Sequence, residues 1–250
     1  MTIGPRETAR ELCATAEEAL GEAAFRTGDF SPAERLFTQA QTLAARDGDR
    51  EAEAAALGGL GMVRHHRNLL TLIAGGTPAA ADVDAQEDLL RRALAIWQEA
   101  GDAAGTARAL FGVGLVLQVL RRDWAAAMTY FWPAYGLTEA LEESGDLYAR
   151  SEIHRHLGFH YLFADVRPAE AVRQQRHSLA LRERLGDPRR IPSALVALGE
   201  AEIAAGNPPG AVELLRRAAG LARGAGLLPW RIEDAERGLA EAEAALAASR

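Results

Sequence analysis

The sequence predicts an all-α protein assembled from repeated helical hairpins. Alanine makes up roughly a fifth of the 250 residues, with Leu, Glu and Arg abundant beside it, and these are the strongest helix formers. Strand formers are sparse and never alternate over the length of a strand. Gly-Asp pairs punctuate the chain at Gly48-Asp49, Gly101-Asp102, Gly145-Asp146 and Gly186-Asp187, at intervals of 53, 44 and 41 residues. A glycine there can end a helix in the left-handed conformation, and the aspartate can cap the next one.

One skeleton recurs between those pairs. Gly21 is followed by Ala33, Phe37 and Ala40 at +12, +16 and +19, and Gly199 by Ala211, Leu215 and Ala218 at the same offsets. Gly114 with Ala127, Phe131 and Ala134 is one residue longer. Gly158 with Ala171, Gln175 and Ser178 matches that spacing but is more polar. Gly61 with Leu90 and Ala93 carries 13 extra residues. Small residues at these places let two antiparallel helices approach, and a Phe or Leu fills the gap. Such a hairpin cannot bury its apolar face alone, but stacked neighbours can. The helix pairs are expected at 6–27 and 32–46, 50–73 and 84–100, 102–121 and 123–143, 146–165 and 168–185, and 188–206 and 209–223. A last helix at 229–248 reads as a polar, alanine-rich cap, and residues 74–84, with Gly75-Gly76-Thr77-Pro78, as an inserted loop. Pro133 falls inside a helix and is expected to bend it.

Composition excludes several classes. With 28 basic and 35 acidic residues the net charge is −7, so the basic face that nucleic acid needs is not expected. The longest apolar run, Phe111 to Leu120, is half a membrane span, and no membrane partner is expected. The N-terminal residues lack an apolar signal core, which points to the cytoplasm. Cys13 is the single cysteine, so neither a disulfide within the chain nor a cysteine metal cage can form. Lysine is absent, which removes Schiff-base chemistry and the P-loop lysine.

Ala19-Leu20-Gly21 with Thr27-Gly28-Asp29-Phe30 and Ala33, and Ala197-Leu198-Gly199 with Ala205-Gly206-Asn207 and Ala211, resemble tetratricopeptide (TPR) repeats. The Leu185-Gly186-Asp187 ending resembles the longer repeats of bacterial signalling regulators of the MalT and AfsR kind. The resemblance covers about residues 8 to 223. It implies a single domain over 1–250, a right-handed α-solenoid of about five TPR-like hairpins plus a C-terminal capping helix. It also implies that the first helix of each hairpin lines a concave groove.

Nine of the fifteen aromatic residues fall between Trp124 and Phe163. His154, His156 and His160 share one helix, and His65 and His66 lie on the corresponding helix two repeats earlier. This is read either as an aromatic-walled pocket with ionisable groups inside it or as packing of larger side chains. The pocket reading names His65, His66, Tyr130, Trp132, Glu152, Arg155, His156, Phe159, His160 and Phe163 as ligand-binding. Glu152, His156 and His160 are spaced i, i+4, i+8 on one helix face. A carboxylate beside an imidazole suits acid–base chemistry, with Glu152 and His156 in the catalytic roles. No metal site is expected, because Arg155 and Leu157 flank His156 where a metalloprotease helix carries a glutamate. No cofactor motif is found: Gly59-Leu60-Gly61 and Gly112-Val113-Gly114 lack the third glycine of a dinucleotide loop. The arginine pairs, Arg189-Arg190 among them, are read as solvated faces, and His177 as a surface residue.

Two functions follow first. One is a module that binds a peptide or protein segment in the groove. The other is a small-molecule binder or biosynthetic enzyme using the aromatic and histidine pocket. A scaffold acting through its convex face is a third.

Overall fold

Eleven helices and no strand are found among the described residues, 8–141 and 146–249, of the computed structural model. They are α1 Ala9–Glu22, α2 Ser31–Asp47, α3 Arg50–Ile73, α4 Ala80–Ala100, α5 Ala103–Leu115, α6 Trp124–Ala140, α7 Leu147–Phe163, α8 Pro168–Leu185, α9 Ile191–Ala204, α10 Pro208–Gly224 and α11 Pro229–Ala248. Two first helices run on through a wider π turn, Ala23–Thr27 after α1 and Val116–Leu120 after α5.

Gly48, Gly101 and Gly186 close α2, α4 and α8 at φ of +72°, +69° and +72°, a conformation that glycine reaches without a Cβ clash. Asp49, Asp102 and Asp146 cap α3, α5 and α7, their carboxylates accepting from first-turn backbone N–H groups. Gly145 lies outside the described residues. Asp187 departs from the pattern: its carboxylate accepts from the Arg189 backbone N–H at 3.0 Å and from the Arg189 and Arg190 guanidinium groups. Helix α9 therefore starts only at Ile191.

Residues 80–84, expected in a loop, form the first turn of α4. The extra residues of this hairpin lengthen helices, giving 24 residues in α3 and 21 in α4, because Ala80 and Ala81 favour helix once Pro78 is past. Only 74–79 connects the pair. Helix α6 continues through Pro133, which is exposed.

The chain divides into two compact units, Met1–Leu137 and Thr138–Arg250. In the first, α1 to α5 pack each on the next, and α1 on α3 and α3 on α5. In the second, α7 to α11 do the same, with α7 on α9 and α9 on α11. The 103–120 stretch is long and apolar enough to cross a membrane, but 72% of it is buried inside the protein.

The recurring glycines are notches. A Cβ on Gly61 would lie 2.7 Å from Leu90, and one on Gly112 would lie 2.8 Å from the same side chain. Leu215 fills the corresponding place at 2.6 Å from a Cβ on Gly199 and 2.9 Å from one on Gly238. Each leucine is thus shared by its own first helix and the next one. That sharing is the physical reason hairpins stack, since the apolar knob is fully dry only with a neighbour present. Phe131 sits against Gly114, and Phe37 against Gly59 of the following hairpin. Phe37, Phe131 and Leu215 are wholly buried, as are the alanines flanking them, Ala33, Ala40, Ala127, Ala134, Ala211 and Ala218.

Candidate functional site

In the first unit each sequence-predicted site residue has its own partners. His65 is buried, with Nδ1 at 3.3 Å from Gln86 Nε2, and Gln86 Oε1 accepts from Asn68 at 2.9 Å. Gln86 stands where sibling hairpins place an alanine, so this network fills a packing position. The His66 ring stacks on Phe30 at 5.7 Å. Tyr130 Oη accepts from Arg91 Nη1 at 2.8 Å. Trp132 is exposed and meets Tyr135 edge-on.

In the second unit α7 carries the rest. Glu152 is held by the fully buried Arg182 of α8. Arg182 also donates to the Arg190 backbone carbonyl at 2.7 Å, to Ser193 Oγ at 2.6 Å and to Ser151 Oγ at 3.3 Å. Burial pushes its pKa down to about 10. The other Glu152 oxygen accepts from Arg155 Nη1 at 3.4 Å and lies 4.0 Å from His156 Nε2. His156 is buried, its ring edge-on to Phe159 at 5.6 Å. The Arg155 guanidinium lies 4.8 Å over the Phe159 ring, and Phe163, largely exposed, packs on Phe159 at 6.0 Å. His160 sits apart from Glu152, 4.0 Å from Asp165, and burial lowers its pKa. Glu152, Arg155, His156 and Phe159 therefore share one neighbourhood, in which Glu152 belongs to a buried ion cluster.

That neighbourhood opens on a cavity of about 80 Å³ whose lining includes Arg155 and Phe159 of α7, Ser193, Val196 and Glu200 of α9, Trp230, Arg231 and Asp234 of α11, and Arg189 and Leu227. Burial, reinforced by Asp234, raises the Glu200 pKa to about 7. Burial lowers that of Arg231 to about 10, and the like charges of Arg155 and Arg182 add to the shift. Arg189 and Arg190 are only 28% and 19% exposed, so they are not the solvated pair expected from sequence. Burial alone would raise Asp187, but its hydrogen bonds from these arginines hold it at about 2. Arg190 stacks 3.6 Å over the Tyr148 ring. His177 is exposed, as expected.

No family model matches the chain, and no curated protein does. Solved structures do. BtubC (BKLC) from P. vanneervenii is 20% identical, covering 90% of this chain and 95% of that one, with a TM-score of 0.51. A Podosopora anserina putative kinesin light chain with nearly identical TPR-like repeats is 16% identical, covering 86% and 97%, with a TM-score of 0.52. A point-substituted form of that protein gives 16%, 87% and 97%, with a TM-score of 0.53. The fold is a TPR-like helical repeat.

In the TPR-like frame α7 and α9 are first helices of successive hairpins, and α11 follows α9 in the same succession. The cavity therefore lies on the first-helix face of the second unit. Sequence reasoning found its α7 side, Arg155 and Phe159, and missed Glu200, Trp230, Arg231 and Asp234. One signal was available. Glu200 follows the skeleton glycine Gly199 directly, and Trp230-Arg231 breaks the alanine-rich pattern of the closing helix.

Proposed function

We propose that the chain is a binding module that takes a partner polypeptide segment along the first-helix face of its repeats. One observation carries the reading: Arg155, Phe159, Glu200, Trp230 and Arg231 come from three stacked first-face helices and converge on one partly open cavity. Mixed charge with aromatic anchors is what peptide recognition uses. TPR-like repeats are interaction folds, which agrees with it.

The enzyme reading gains less support. Glu152 is engaged by Arg182 and Arg155, and His156 is 6% exposed, so neither is presented to a substrate as a general acid or base must be.

The test is selection of peptides from a random displayed library against the purified chain. Selected peptides should bind at least about tenfold more weakly to Phe159→Ala or Arg155→Gln. They should bind unchanged to Arg216→Gln, on the exposed side of α10. Peptides indifferent to both first-face variants, or no enrichment at all, would end this reading.

A further inference from the structure

We propose that the cavity walled by Arg155, Phe159, Val196, Glu200, Trp230 and Arg231 is also a site for a small monocarboxylate with an apolar body. This goes beyond peptide docking, because a free small molecule of that class is bound whether or not a partner segment is present.

The charge comes first. Arg155 and Arg231 reach the cavity from α7 and α11, and burial lowers the pKa of both. A guanidinium in that state is stabilised by any anion placed beside it. The carboxylate nearest Arg155, Glu152 at 3.4 Å, is shared with Arg182. Two further donors on the lining residues, Arg155 Nε and Trp230 Nε1, are buried with no acceptor. Buried donors left that way are costly, and native proteins rarely keep them.

The walls come next. Phe159, Val196 and Leu227 are apolar, and each guanidinium lies over a ring, Arg155 at 4.8 Å from the Phe159 centroid and Arg231 at 4.2 Å from that of Trp230. The rings and aliphatic walls can meet the body of a ligand, while Arg155 Nε and Trp230 Nε1 are the donors that lack an acceptor.

Glu200 and Asp234 decide the class of anion. Both line the cavity, so a dianion such as sulfate would set its second charge against them. A monocarboxylate brings one charge. Glu200 is faced by Arg155 of α7 and by Asp234, Arg237 and Glu241 of α11, and its carboxyl titrates at about 7. When protonated it donates a hydrogen bond to the ligand carboxylate.

Isothermal titration of the full chain with benzoate, 3-methylbutanoate and sulfate, at about pH 6.5 where Glu200 is largely protonated, tests this. The expected result is saturable binding of at least one monocarboxylate, with sulfate at least about tenfold weaker. Arg231→Gln and Phe159→Ala should each weaken carboxylate binding at least about tenfold with unchanged circular dichroism. Arg216→Gln should change it less than about twofold. Should Arg231→Gln fail to fold, Val196→Phe, which fills the cavity and keeps every charge, must abolish binding instead. Absence of saturable carboxylate binding up to about 10 mM, or sulfate bound as tightly, would overturn the proposal. So would a well-folded Arg231→Gln with unchanged affinity. Carboxylate binding without any selected peptide would leave this inference standing and sink only the peptide reading.

Discussion

Hairpins α9/α10 and α7/α8 share one skeleton within one unit and fill it in opposite ways. Between α9 and α10 the knob is Leu215, dry and shared by Gly199 and Gly238. Between α7 and α8 the same place holds Gln175, equally buried against Gly158. Its amide donates to the Arg155 backbone carbonyl at 3.0 Å, while its Oε1 and the Ser178 hydroxyl have no hydrogen-bond partner. One turn further on, Arg182 takes a fully buried place. The apolar hairpin gains stability from burial alone. The polar one spends part of that gain on hydrogen bonds that hold Glu152, Arg155 and the start of α9 in fixed positions beside the cavity.

The sharpest way to break this contrast is at Arg182. Arg182→Met leaves Glu152 with only its longer contact to Arg155, 3.4 Å, and should cost roughly 3 kcal/mol in urea unfolding. Combining it with Glu152→Leu should recover most of that loss. A neutral single variant would show that the ion cluster is dispensable.

Glu200 gives the next effect, through pH. Its pKa is raised from 4.5 to about 7 by burial and by Asp234. A carboxyl raised in the folded state contributes stability that is full below its unfolded value and fades as pH climbs through the folded one. The second unit should therefore lose at most about 3 kcal/mol between about pH 4.5 and 7. Glu200→Gln should flatten that slope in denaturation curves taken across this range.

The notches come third. Gly199→Ala drives a methyl into Leu215 near its branch point and should cost about 1–3 kcal/mol. Gly158→Ala meets the terminal amide of Gln175, which can swing away, and should cost no more than about 1 kcal/mol. Equal thermal shifts for the two variants would remove the distinction between the fillings.

The smallest effect is the most direct comparison. Gln175→Leu converts the polar hairpin to the apolar filling, losing the bond to the Arg155 carbonyl and removing a buried unpaired oxygen. Stability should rise by up to about 1 kcal/mol, while binding at the cavity weakens because Arg155 is less firmly placed. Stability and binding moving the same way would contradict the exchange of one for the other.

Helix composition, the Gly-Asp punctuation and the glycine, alanine and large-residue spacing are local features, and they placed almost every helix to within a few residues. They did not show that the extra length of the α3/α4 hairpin becomes helix, because the Gly-Gly-Thr-Pro signal governs only its own four residues and masks the alanine propensity that follows it. The site was half legible. Glu152, Arg155, His156 and Phe159 lie on one helix, so periodicity alone puts them together. Arg182 lies 30 residues beyond Glu152, and Trp230 and Arg231 lie beyond a further hairpin, in a helix that reads as a cap. Local periodicity carries no information about which side chain of a later helix arrives opposite a given turn. Helix packing alone decided that, and with it that Glu152 is an anchored ion while Glu200 and Asp234 are the carboxyls that line the cavity.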